Sequence, residues 1–178
     1  MLLTKYQELA KRTLKDLGSQ QKNMLHMKMG LITEVGELLD ALKKHIAYGK
    51  ELDIVNLMEE WGDAMWYIAN YRTLEGKELT FEEHSFFDVY FYMSSKNNPD
   101  FNWYENAANV FCRQRSFEET VDILWGFGKN IGDREEMLRM NIEKLRKRYP
   151  EKYTDEQAIV RDVDAEREIL EKNKNQDQ

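Results

Sequence analysis

Gly30-Leu-Ile-Thr-Glu-Val-Gly-Glu-Leu-Leu-Asp-Ala-Leu42 and Ile54-Val-Asn-Leu-Met-Glu-Glu-Trp-Gly-Asp-Ala-Met-Trp-Tyr-Ile68 decide how this chain folds. Apolar residues recur in both at steps of three and four, the period of an amphipathic helix. They are Leu31, Ile32, Val35, Leu38, Leu39 and Leu42 in the first stretch, and Ile54, Leu57, Met58, Trp61, Met65 and Ile68 in the second. Between the stretches, Gly49 suits the left-handed position that closes a helix, and Asp53 suits the N-cap that opens one. The two segments are therefore expected to form an antiparallel helical hairpin.

Each helix carries a pair of acids at i, i+3, Glu34 with Glu37 and Glu60 with Asp63, and 22 residues (38–59) separate the pairs. Residues three apart are neighbours on one helical face, about 5–6 Å apart at Cβ. Glu37 lies twelve residues before Gly49 and Glu60 eleven after it, so at 1.5 Å per residue both pairs stand about 17–18 Å from the turn. At about 100° per residue, each pair is also displaced from its apolar stripe in the same rotational sense, which places both on one side of the hairpin. Four ionised carboxylates crowded there repel one another, and burying them unpaired is prohibitive, so a cation is the natural counterweight. Oxygen-only ligands favour Mg2+, with Mn2+ as a substitute, over zinc. A single acid pair on a helix is ordinarily part of a solvated face; the match in height and angle sets these two apart. Gly36 and Gly62 sit inside the pairs, where glycine costs about 1 kcal/mol relative to alanine, and close approach of a ligand or another helix would explain them.

At these residues the chain resembles the all-α nucleoside triphosphate pyrophosphohydrolases of the MazG type, whose signature is ExxE, a spacer and ExxD. The matching positions are Gly30 to Glu37, Lys43-Lys44-His45, Gly49-Lys50, Asp53 and Glu59-Glu60-Trp-Gly-Asp63-Ala-Met-Trp66-Tyr67. A second block, Asn141-Ile-Glu-Lys144-Leu-Arg-Lys-Arg148-Tyr-Pro150, is similar to the NxxKLxxRYP segment that closes many bacterial and phage members. Together the resemblance covers roughly residues 22–75 and 138–165. It implies an all-α helical bundle. It also implies magnesium-dependent hydrolysis of (deoxy)nucleoside triphosphates to monophosphate and pyrophosphate, in nucleotide-pool control or house-cleaning. Glu34, Glu37, Glu60 and Asp63 would hold the metal, with Glu34 and Glu37 catalytic and Glu37 helping to deprotonate the attacking water. Asn141, Lys144 and Arg148, one face of one helix, would offer donors to phosphate or sugar oxygens, with Lys44 as a further candidate.

Two departures stand out. Many members carry an additional acid just before ExxE, where this chain has Thr33. About fifty residues, near 84–132, separate the two blocks and read as an insertion rich in aromatics, including Phe117, Trp125 and Phe127. Such a segment is expected to pack as extra helices on the core rather than to read a nucleobase.

The remaining sequence is that of one all-α domain spanning 1–178, with a polar C-terminal tail at 171–178. Tyr6, Leu9, Ala10, Thr13, Leu14 and Leu17 form a helical stripe stopping at Gly18. Thr80 to Glu83, Ser116 to Glu119 and Thr154 to Gln157 read as capping boxes, and Pro150 closes a helix from Met137 to Arg148. The net charge of −7 argues against a nucleic-acid surface. No apolar run spans a membrane and no leader is evident, so a cytoplasmic protein is expected, in a bacterium or a phage-infected cell. The single cysteine, Cys112, excludes an intrachain disulfide. His26, His45 and His84 read as ordinary surface or core histidines, and none supplies the ExxH partner of a di-iron bundle. The hairpin carries Trp61, Met65, Trp66, Tyr67 and Ile68, more apolar surface than one short helix covers, so a homodimer or higher homo-oligomer is expected. The opposing functional class is a non-catalytic helical assembly or binding protein with a vestigial acidic cluster.

Overall fold

The computed structural model describes residues 1–81, 117–159 and 163–174. Ser19 opens the longest helix, α2 (Gln20–Tyr48), by accepting from the Lys22 amide, and Gly49 closes it at φ +62°. Asp53 then caps α3 (Ile54–Glu75), accepting from the Asn56 amide at 3.0 Å, and Gly76 ends that helix at φ +70°. These are the positions at which glycine and a short acid are cheapest, and they produce the antiparallel hairpin expected from the sequence.

Five further helices complete the described residues, which contain no strand: α1 (Leu3–Lys11), α4 (Phe117–Ile131), α5 (Arg134–Arg148), α6 (Asp155–Ile159) and α7 (Val163–Lys174). The fold is all-α. α1 is shorter than its apolar stripe suggested. Thr13 turns its hydroxyl onto the Ala10 carbonyl at 3.0 Å, and tight turns at Arg12, Thr13 and Leu14 end the helix. α5 begins earlier than Met137 because Asp133 caps the Glu136 amide at 2.8 Å. Thr154 opens α6 through paired bonds with Gln157.

α3 is the central element: α1, α2, α4, α5 and α7 all pack on it. Its Trp61, Met65 and Ile68 are fully buried. Those three are covered within one chain, whereas Trp66 and Tyr67 are half-buried. α4 supplies much of that cover: Trp61 donates its indole N–H to the Leu124 carbonyl at 2.6 Å, and a Cβ on Gly128 would lie 2.6 Å from the Trp61 ring. Trp125 stacks on Phe81 with ring centroids 4.1 Å apart and lies 5.9 Å from the Trp61 ring, and Phe117 lies 4.2 Å from Tyr71. The rest of the inserted aromatics, Cys112, His84, Ser116 and half of the Thr80 to Glu83 signal, Glu82 and Glu83, lie outside the described residues.

Ile32, expected in the core, is 71% exposed. Among the described residues α2 packs principally on α3, which leaves its opposite face open, and Leu25, Met29 and Ile32 stand there at i, i+4 and i+7. No helix of the described residues is long and apolar enough to cross a membrane.

Candidate functional site

The hairpin brings three of the four predicted acids together. One carboxylate oxygen from each of Glu34, Glu37 and Glu60 lies within 4.8 Å of the other two. Glu60 is buried, Glu34 half-buried and Glu37 exposed. Asp63 lines the same cavity but is held from behind by α5. Lys144 reaches its two oxygens at 2.7 and 2.6 Å, and the Asn141 amide donates to Oδ1 at 2.7 Å. Lys144 also reaches Glu59 at 3.2 Å, while the Tyr6 hydroxyl donates to Asn141 Oδ1 at 2.9 Å. That bond fixes which end of the Asn141 amide faces Asp63.

Two of the glycines near the site are explained by packing. A Cβ on Gly62 would lie 3.1 Å from the Asn141 Cβ, so glycine lets α5 approach. A Cβ on Gly30 would fall 2.0 Å from the Tyr67 ring, which lies across α2 and lines the cavity. Among the described residues nothing lies within 4 Å of the would-be Cβ of Gly36, so none of their helices accounts for it.

The crowding of acids is written in their proton affinities. Burial, reinforced by Glu37, Asp63, Glu34 and Glu59, pushes Glu60 up to about 9. Burial, with Asp63 and Glu37, pushes Glu34 up to about 7, partly offset by a hydrogen bond with Glu60 and by Lys144. A protonated Glu60 therefore donates to Glu34, and the proton holds the place a cation would take. Burial works against a charged Lys144, but Asp63 and Glu59 outweigh it and raise its proton affinity. Burial with Glu34 and Asp63 raises Tyr67 to about 12. Three carboxylates at one point, oxygen donors only and one deeply buried, suit a hard divalent cation.

The acids form one part of a cavity of about 450 Å³, within the range of small-molecule sites. Its remaining wall comes from Thr13 and Lys15 after α1, His26 on α2, Trp66 and Tyr67 on α3, Arg148 and Tyr149 at the end of α5, and Tyr153. Of the predicted donors, Asn141 and Lys144 are buried, 2% and 1% exposed, and serve Asp63 from below. Arg148 reaches the cavity, but its guanidinium is forked onto the buried Glu166, with Nε 2.7 Å from Oε1. Lys44 is elsewhere: it pairs with Asp40 at 2.6 Å on the exposed side of α2 and does not line the cavity.

Sequence reasoning set His26 aside. The structure places it on the cavity wall, its ring edge-on to Tyr67 at 6.0 Å and its Nδ1 buried with no hydrogen-bond partner. A signal was present, since His26, Gly30 and Glu34 form one i, i+4, i+8 row along α2. Lys15 and Tyr153 offered none, being brought in by loops. Comparison with family models, with curated proteins and with solved structures finds no match to this chain.

Proposed function

We propose that this protein is a magnesium-dependent hydrolase that cleaves (deoxy)nucleoside triphosphates to nucleoside monophosphate and pyrophosphate. One observation carries the reading: Glu34, Glu37 and Glu60, from two helices, converge within 4.8 Å in a cavity large enough for a nucleotide. A buried carboxylate with so high a proton affinity as Glu60 is ionised at neutral pH only with a cation beside it. Triphosphate carries about four negative charges, and the cavity cations Lys15 and Arg148 are both paired to carboxylates, Asp155 and Glu166. The acids alone would repel such a substrate. Mg2+, or Mn2+, held by Glu34, Glu37 and Glu60 would supply the positive charge that phosphate needs there and would acidify a water.

The chain's own residues then divide the work. Glu34 and Glu60 would hold a cation from the buried side. Glu37, the most exposed of the three, accepts the proton of the attacking water. Lys144 and Asn141 hold Asp63 in place beside them, and Arg148 is the side chain in the cavity wall placed to meet phosphate by exchanging it for Glu166. The exposed row of Leu25, Met29 and Ile32 on α2 supports a homodimer formed through that face. The same reading places the protein in the cytoplasm, in control of the nucleotide pool.

A second reading, a binding protein with a vestigial acidic cluster, draws on the cavity cations already being neutralised by protein carboxylates. Pyrophosphate release from a panel of ribo- and deoxynucleoside triphosphates with Mg2+ or Mn2+, run beside Glu37→Gln, separates the two. Pyrophosphate and monophosphate from the wild type, with loss of about a hundredfold or more in the variant, support the hydrolase. Absence of turnover on every triphosphate favours the binding protein.

A further inference from the structure

Lys15 and Arg148 are the lysine and the arginine of the cavity wall, and each is paired to an acid from beyond Pro150, Asp155 and Glu166 respectively. The two pairs differ in what an exchange of partner costs. Glu166 is 3% exposed and takes the fork of Arg148, with Nε 2.7 Å from Oε1, so releasing Arg148 removes a guanidinium from a buried carboxylate. Asp155 is 66% exposed. When Lys15 leaves it, its Oδ1 keeps the Tyr153 hydroxyl at 2.7 Å and water solvates the rest. Exposed pairs of this kind hold their partners weakly. Nor is the Lys15 pair needed to join the loop after α1 to the loop after α5. Arg12 does that by donating to the Pro150 and Glu151 carbonyls at 3.0 and 2.9 Å, and Thr13 accepts the Trp66 indole N–H at 2.8 Å. Lys15 therefore stands on a backbone fixed by other bonds, with an ammonium able to change partners. Its flexible stem and three donors suit phosphate oxygens.

We propose that Lys15 binds a phosphate group of the substrate, and that Asp155 holds its ammonium as an internal competitor until phosphate displaces it. A terminal phosphate brings up to about two negative charges and three acceptor oxygens against the single charge of Asp155, which favours the exchange. Lys15 joins Arg148 at the phosphate and is the first of the two to exchange. This rests on the hydrolase reading for the identity of the whole substrate, whereas capture of a phosphate chain is tested without turnover. Lys15 binds and takes no part in proton transfer.

The first arm titrates methylenediphosphonate, a pyrophosphate mimic that resists hydrolysis, into the full chain at fixed Mg2+ and follows the heat. Lys15→Met should weaken binding about tenfold, the loss of one charge-assisted contact at a partly screened site. Lys15→Arg, which keeps the charge, should stay within about threefold of wild type. Asp155→Asn should tighten binding about threefold, and a gain of affinity cannot arise from a damaged fold. In the double variant Lys15→Met with Asp155→Asn that gain should vanish, because the competitor then has nothing to hold. Unchanged binding in Lys15→Met, or no gain in Asp155→Asn, overturns the proposal. So does a gain that persists in the double variant, which is plain charge repulsion, or a wild type that takes no diphosphonate. The second arm measures the triphosphate panel, where KM should follow the same order with kcat within about twofold. Turnover with wild-type KM in both single variants overturns the role of Lys15 alone. The expected diphosphonate pattern in a wild type that cleaves no triphosphate upholds that role and overturns the hydrolase.

Discussion

Replacing Lys144 by Met tests whether charge, rather than packing, governs the floor of the site. Methionine retains a long flexible stem and removes the ammonium. Lys144 is 1% exposed and serves two carboxylates, Asp63 at 2.6 Å and Glu59 at 3.2 Å. Removing one partner of a buried pair costs about 3–5 kcal/mol. The side chains of Asp63 and Glu59 are 26% and 20% exposed, so solvent screens part of the loss and the lower end, about 3 kcal/mol, applies. For a chain of this size each kcal/mol moves the melting temperature by about 2–4 °C, which gives a fall of about 6–12 °C at pH 8 without metal. Two conditions should shrink the gap between variant and wild type. Acid does so by lowering the negative charge of the acidic cluster, in which Glu34 and Glu60 hold protons more tightly than usual, and Mg2+ at Glu34, Glu37 and Glu60 does so by supplying positive charge where the ammonium is lost. Thermal unfolding followed by circular dichroism, at pH 5 and pH 8 with and without Mg2+, reads all four cases. A fall that is the same at both pH values and indifferent to Mg2+ would show that Lys144 matters only as packing, and would refute the electrostatic account.

Two other predictions follow from the same geometry. Glu34 and Glu60 bind protons more tightly folded, at about 7 and about 9, than their ordinary 4.5. The folded state therefore retains protons that the unfolded state releases. Their contribution to stability is full below about pH 4.5 and is lost as pH rises through 7 and then 9, by at most about 1.4 kcal/mol per pH unit for each proton retained. The metal-free melting temperature should fall across that window and Mg2+ should flatten the fall; a profile that rises with pH, or is unmoved by Mg2+, sinks the cation-site reading. Gly30→Ala and Gly36→Ala should act in opposite directions. The first drives a methyl to within 2.0 Å of the Tyr67 ring and should cost about 1–3 kcal/mol, whereas the second meets open space and should gain about 0.5–1 kcal/mol, both read by urea denaturation. Destabilisation by Gly36→Ala would mean that something beyond the described residues approaches α2 there.

The hairpin and the convergence of Glu34, Glu37 and Glu60 could be read from the chain because every step is local. Gly49 and Asp53 set the turn, 1.5 Å per residue sets the height and 100° per residue sets the face. Local rules fail where partners come from distant segments. That Asp63 is engaged by Lys144, 81 residues away, depends on Gly62 letting α5 close onto α3. The pairing of Arg148 with Glu166, and the meeting of Lys15 with Asp155, likewise depend on loops that periodicity does not describe. Ile32 satisfies the helical stripe yet is exposed, since the period shows which residues share a face and not whether another helix lies against it. The sequence by itself determined an all-α chain with acids gathered on one side of a hairpin. Tertiary packing decided which charges reach the cavity and which are neutralised beneath it, because a carboxylate pairs with whatever cation the fold brings within about 4 Å, however far away it lies in the chain.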